Sequence, residues 1–201
     1  LTSLLEPGMA VLEIGCGTGY FTKEIVKTGV RLTAIDISPE LVGIANKEVP
    51  RGEKVCFSIQ NAYGMGLKGN RFDAVVGSSI LHHLDVGQAL RECFRVLKPG
   101  GAICFTEPNM LNPQIALQKN IPFLKKRLGD SPDETAFFPW RMRKYLKSIG
   151  FTDIHVRCFD FLHPAIPGSW LPLLEPIAIG LEKIPFVSGI AGSLWIQARK
   201  S

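Results

Sequence analysis

The sequence has no C-x-x-C pair, no internal repeat and no low-complexity tract. Its five cysteines, at positions 16, 56, 93, 104 and 158, are scattered and odd in number. They give no framework for zinc or disulfides and read as free thiols in a reducing compartment. Charge of one sign is also scarce. The 23 Lys and Arg against 18 Asp and Glu leave a formal net charge of +5 without a clustered basic face, which argues against a nucleic-acid partner. That balance still suits an anionic substrate or a membrane surface. No run is apolar enough to cross a bilayer. The nearest, Leu162–Gly192, is broken by prolines, glycines, Glu175, Glu182 and Lys183. No signal-peptide pattern precedes the first strand. Because the chain starts at Leu1 rather than Met, that absence weighs little, and the expected location is cytoplasmic with a peripheral membrane contact left open.

What is present points to one globular domain of 201 residues, 46% hydrophobic. Its organising stretch is Val11-Leu12-Glu13-Ile14-Gly15-Cys16-Gly17-Thr18-Gly19-Tyr20. An apolar strand runs into a glycine turn and then into an amphipathic helix. Such a turn lets a ligand approach the backbone, and the helix start adds oriented N–H groups. The spacing is E-x-G-x-G-x-G. A dinucleotide fingerprint, G-x-G-x-x-G, would need glycine where Tyr20 stands, which opposes a nicotinamide-dependent oxidoreductase.

Further along, strands are expected at Val30–Ile37, Lys54–Ile59, Arg71–Ser78, Ala102–Thr106, Asp153–Phe161 and Ser193–Arg199. Helices fall between them: Tyr20–Thr28, Pro39–Val49 with Ser38 as N-cap, about Val86–Leu97, and near Trp140–Ser148. Lys98-Pro99-Gly100-Gly101 reads as a sharp stop. The alternation implies an α/β, Rossmann-like sheet of seven strands, mostly parallel with the last antiparallel, and helices on both faces. A cap or insertion occupies about 108–135. The apolar segment at about 162–192 reads as a helical hairpin packed on the sheet, or else as a lid or lipid-facing surface.

Ligands in such sheets sit beyond the carboxyl ends of the strands. Gly15–Gly19, Asp36, Asn61-Ala62, Ser78 and Glu107 all lie there. Asp36 follows Gly19 by 17 residues, close to where doubly wound folds place an acid for ribose hydroxyls. Since Ser38 serves as the helix cap, Asp36 is free for a ligand.

The glycine motif with Glu13, Asp36 in A-I-D-I-S, F-D-A-V-V followed by H-H-L, and L-K-P-G-G together resemble class I S-adenosylmethionine-dependent methyltransferases of the small-molecule, type 11-like kind. The resemblance covers about residues 9–107 and the last two strands. It implies S-adenosyl-L-methionine as donor and S-adenosyl-L-homocysteine as product. By position, Gly15, Gly17 and Gly19 would admit the methionine and ribose portion, and Glu13 would help hold the methionine amino group. Asp36 would bind both ribose hydroxyls, Ile37 would cover the adenine, Asn61 and Ala62 would meet its edge, and Ser78 would line the methionine portion. Position 61 is often Asp in the family; Asn61 can serve only through its carbonyl oxygen. The family's usual N-terminal helix is not visible ahead of Leu1.

Methyl transfer needs a base only where the acceptor must lose a proton. The candidates are His82, His83, Glu107 and Asn109; no metal site is expected, because nothing pairs with Glu107 at ligand spacing. Phe137, Phe138 and Trp140 are candidates for an acceptor wall. No N-P-P-Y follows the fourth strand, and no Pro-Cys pair, so a nucleic-acid base is a poor acceptor. The expected acceptor is a small molecule, with the apolar C-terminal segment favouring a lipid- or quinone-like one. The competing reading is a non-catalytic methyltransferase-like binding or scaffold protein.

Overall fold

The computed structural model describes residues 2–49, 54–128, 130–131, 134–162 and 166–201. Seven strands form one sheet: β1 Ala10–Ile14, β2 Arg31–Asp36, β3 Val55–Ile59, β4 Phe72–Ser78, β5 Leu97–Pro108, β6 Phe151–Phe159 and β7 Ser193–Lys200. Their order is β3-β2-β1-β4-β5-β7-β6. The first five are parallel, and β7 runs antiparallel to both β5 and β6, as the sequence implied. The central strands read as unbroken apolar runs because both faces are buried. In β1, Val11 enters one core and Leu12 and Ile14 the other; in β4, Ala74 and Val76 separate from Phe72 and Val75 in the same way.

Helices α1 (Tyr20–Val26) and α2 (Pro39–Glu48) cover one face through Ile25 and Val42. The other face receives Leu90, Cys93 and Val96 of α3 (Val86–Val96), and Met142 and Leu146 of α6 (Pro139–Ile149). Between β5 and α6 lie α4 (Pro113–Asn120) and α5 (Pro122–Leu128); between β6 and β7 lies α7 (Leu171–Glu182). The caps follow the sequence. Ser38 Oγ accepts from the Leu41 amide at 3.3 Å to start α2, and Asp85 Oδ1 accepts from the Gln88 amide at 2.9 Å to start α3.

Three expectations are corrected. Lys98–Gly101 does not stop the chain before β5. It is a bulge inside that strand: Leu97 pairs with Phe72 and Ala102 with Ala74, so the extra residues loop out through Gly100 at φ +76°. Strand β6 starts at Phe151 and ends at Phe159, where Asp160 turns into the left-handed region at φ +70°. Among its described residues, the 162–192 segment forms no helical hairpin on the sheet. It holds α7 between two short 3₁₀ turns, Gly168–Trp170 and Ser188–Ile190, and Ala178 is the one buried residue of α7.

Candidate active site

The glycine turn closes on backbone. The Gly15 and Cys16 amides donate to the Ile35 carbonyl at 2.8 and 3.0 Å, which locks the turn to the end of β2. Gly15 sits at φ +71°, and a Cβ there would stand 2.6 Å from the Ile80 side chain, so glycine is required for packing. Gly17 differs. It is also left-handed, at φ +51°, yet a Cβ there would meet nothing within 4 Å. Its surroundings are open, and the bare backbone faces that space.

Asp36 is bound into the same turn. Its Oδ2 accepts from the Gly17 amide at 2.9 Å and its Oδ1 from the Ser38 amide at 3.0 Å. Each oxygen keeps a second lone pair for a hydroxyl donor. Glu13 lies behind them, 2% exposed, and accepts from the Thr22 hydroxyl at 2.7 Å. Burial pushes its carboxyl up to about 7; the Thr22 bond opposes the rise and the Asp36 charge adds to it. The neighbouring Cys16 thiol is pushed up to about 12 by burial and by the Glu13 and Asp36 charges, so it stays protonated and inert.

At the adjoining strand ends, Ile37 is 69% exposed while Ala62 is buried. The Asn61 carbonyl oxygen accepts from the Tyr63 amide at 2.9 Å, which turns part of that group's acceptor capacity inward. Ser78 Oγ and Thr106 Oγ1 share a hydrogen bond of 2.9 Å across β4 and β5.

Past β4, the 3₁₀ turn Leu81–His83 carries both histidines. Glu107 does not open toward an acceptor. It is 1% exposed, and its oxygens accept from the Ile80, Leu81 and His82 amides at 2.9, 2.7 and 3.3 Å. It also bonds the His82 Nδ1 at 2.8 Å, which orients that ring and leaves Nε2 as its other nitrogen. His82 reaches a cavity of about 370 Å³ that Ser79, Ile115, Lys119, Phe161 and Leu162 also line.

His83 is half-exposed and its Nδ1 stands 3.3 Å from Glu134. Burial and the neighbouring His82 lower its pKa, so the ring is neutral near pH 7. Among the described residues, His82, His83 and Glu134 bring possible ligand atoms within 4.8 Å of one another. An ammonium already holds Glu134, however. Lys119 lies 2.9 Å from both Glu134 and Asp130, and burial notwithstanding, the Ser131 amide and Lys119 draw the Glu134 carboxyl down to about 2.

Residues 12–105 match the family model described as a methyltransferase domain. Those residues carry a methyltransferase domain, and the chain as a whole has the Rossmann-like fold of class I S-adenosylmethionine-dependent methyltransferases. It is 33% identical over 121 residues to a ubiquinone biosynthesis O-methyltransferase of Xanthomonas axonopodis pv. citri, a match covering 58% of this chain and 51% of that protein. The chain therefore spans about half the length of the curated relatives it matches. It superposes with a TM-score of 0.74 on a SAM-dependent methyltransferase from Thermotoga maritima, at 20% identity, covering all of this chain and 86% of the other. A phosphoethanolamine N-methyltransferase 2 of Haemonchus contortus, solved in complex with S-adenosyl-L-methionine, gives 0.72 at 18% identity, over 98% of this chain and 49% of that one. Identities this low speak for the fold.

To an S-adenosyl-L-methionine donor the cradle would offer an open left-handed Gly17 and a two-oxygen acceptor at Asp36, with the buried Glu13 carboxyl behind them against Thr22. Two groups escaped sequence reasoning. One is the Lys119–Asp130–Glu134 cluster that ties α4 to the loop beyond α5. The other is the role of Asn109, which is fully buried and clips the chain before β7 by donating to the Gly189 and Ala191 carbonyls at 2.9 and 2.7 Å. Phe137 is core. Phe138 stacks on the half-exposed Trp140 with centroids 4.8 Å apart, and neither lines the His82 cavity.

Proposed function

We propose that this chain transfers a methyl group from S-adenosyl-L-methionine to a hydroxyl of a small acceptor with an oxygenated ring and apolar substituents, a quinone-like molecule. The observation that carries the reading is the presence, at the same carboxyl edge as the Gly17–Asp36 cradle, of a Glu107-oriented His82 that lines a cavity. Asp36 holds the ribose hydroxyls, Glu13 the methionine amine, and Ile37 and Ala62 flank the adenine, with Asn61 at its edge and Ser78 beside the methionine chain. Gly15 and Gly19 shape the turn around them.

When bound, the donor supplies a methyl group already activated toward an attacking oxygen. The protein then contributes position, desolvation and a proton acceptor. His82 takes the hydroxyl proton at Nε2, and Glu107 keeps the ring in the tautomer that allows it. The cavity is lined both by polar groups (Asn112, Gln118, Lys119) and by Ile115, Phe161 and Leu162, which suits a ring oxygen beside an apolar substituent. The O-methyltransferase relative supports this acceptor class.

The test has two steps. Calorimetry with S-adenosyl-L-homocysteine should show binding to the intact chain, and a panel of hydroxylated aromatic acceptors should yield methyl ethers in a His82-dependent way. Binding without product on any acceptor would favour a non-catalytic role.

A further inference from the structure

The two excursions from the carboxyl edge of the sheet concentrate the exposed apolar surface. Of the 19 large hydrophobic side chains exposed among the described residues, 12 lie between Leu117 and Leu128 or between Trp170 and Ile190. No residue of α4 or α5 is buried. In α7, Leu173 and Ile177 lie four apart and are both exposed, so they share one outward face; Trp170 and Ile184, just beyond the two ends of the helix, are exposed as well. Phe186 is 96% exposed and sits at φ +69°, a conformation phenylalanine rarely adopts. Of the acids of α7, Glu182 turns inward to accept from the Asp160 amide at 2.8 Å; Glu175, seven residues earlier, is exposed but lies on the Glu182 side of the helix, away from Leu173 and Ile177.

The other excursion supplies charge. In α5 (P-F-L-K-K-R-L), Phe123 and Leu128 are 66% and 58% exposed, and between them Lys126 and Arg127 are exposed with no ion-pair partner among the described residues. The two excursions are tied at their base. Asn109 bonds the Gly189 and Ala191 carbonyls, and Asn112 Nδ2 donates to the Ile190 carbonyl at 2.9 Å. Both also border the His82 cavity, through Ile115 and Gln118 on one side and Phe161 and Leu162 on the other. An apolar face with unpaired cations, on a chain of net charge +5, complements an anionic surface better than a second copy of itself.

We infer that this face docks on an anionic phospholipid bilayer. Lys126 and Arg127 meet headgroup phosphates, while Phe123, Leu173, Ile177 and Phe186 enter the headgroup–acyl boundary. No helix among the described residues is long and apolar enough to cross a membrane. The purpose of the contact rests on the apolar-acceptor reading, since it lets such a molecule reach His82 from the lipid side. Its test needs neither donor nor acceptor.

The experiment is co-sedimentation with phosphatidylcholine vesicles, with and without phosphatidylglycerol. The protein should pellet with the anionic vesicles only, and less as salt rises. Lys126→Glu with Arg127→Glu should weaken partitioning by roughly tenfold or more, at about a factor of five per basic residue at an anionic surface. Phe186→Ser with Ile177→Ser should weaken it on a separate axis that salt does not move. Unchanged S-adenosyl-L-homocysteine affinity of the variants shows that they are folded, and a loss of vesicle binding with donor binding intact isolates this surface from the active-site reading. Equal binding to both vesicle types, no binding to either, or a dimer in sedimentation velocity that the same substitutions dissolve would overturn the proposal.

Discussion

The Asp36 carboxylate accepts from the Gly17 amide at 2.9 Å, so the acidic end of β2 and the glycine turn after β1 form one unit. This single bond couples the shape of the cradle to the group that would bind the ribose. Asp36→Asn should therefore do more than remove a charge. Whichever way the amide is turned, an NH2 faces a backbone donor at Gly17 or Ser38. Loss of charge-assisted bonds at this position should weaken S-adenosyl-L-homocysteine binding by about 10- to 100-fold. Isothermal calorimetry on the wild type and Asp36→Asn reads it directly, and equal affinities would remove Asp36 from the site.

Glu13 predicts a pH dependence of stability. Its carboxyl stands at about 7 in the folded chain, mainly through burial, above the ordinary 4.5. Between these values the folded state holds a proton that the unfolded state has lost, so stability falls as pH rises through this window. Below about 4.5 the group costs nothing, and above about 7 the full penalty applies, on the order of 3 kcal/mol for a shift of that size. Glu13→Gln should flatten the curve and make the variant comparatively more stable at pH 8. Urea denaturation of both proteins at pH 5 and pH 8 checks the sign.

Gly15 and Gly17 separate folding from binding. Gly17→Ala meets open space, so the variant should fold, losing only about 1–2 kcal/mol for a left-handed alanine. Its methyl group would enter the donor's side of the turn, and donor affinity should drop with little change in melting temperature. Gly15→Ala carries the same backbone cost and also drives a Cβ to 2.6 Å from Ile80, so its melting temperature should fall further. Scanning calorimetry beside donor titration distinguishes the two.

The cradle was legible in sequence because it is local: one glycine spacing, one acid past the next strand, one serine cap. The central parallel strands were legible because burial on both faces leaves apolar runs, and the edge strand β3 through its β-branched and aromatic residues. The corrections come from contacts that spacing does not encode. Pro99-Gly100-Gly101 carries the signals of a stop, yet β4 pairs with the chain on either side and turns the stop into a bulge. Nothing near Glu107 announces that its oxygens will be taken by amides at 80–82, and nothing near Lys119 announces Asp130 and Glu134. The apolar composition of 162–192 suggested burial, but composition does not say which side of a helix meets the protein.

His82 and Glu107 should fail in different ways. His82→Asn removes the ring that reaches the cavity but keeps the Glu107–backbone bonds, so the fold and donor affinity should survive. Where the acceptor must lose its proton during transfer, kcat should fall by about 10²- to 10⁴-fold, the usual worth of a positioned base. Glu107→Gln places an amide NH2 among three backbone donors and an imidazole nitrogen, inside the protein. That leaves buried donors unpaired and should cost about 2–3 kcal/mol of stability. Its kcat should fall as well, because the His82 ring loses the partner that sets its tautomer. Raising acceptor pH past the hydroxyl's own ionisation should restore turnover in His82→Asn, since a phenolate needs no base. In Glu107→Gln it should restore only the part lost through His82, leaving the lowered melting temperature unchanged. If His82→Asn turns over like the wild type at neutral pH, the pair is a structural clamp on the turn after β4, and the base must be sought elsewhere around the cavity.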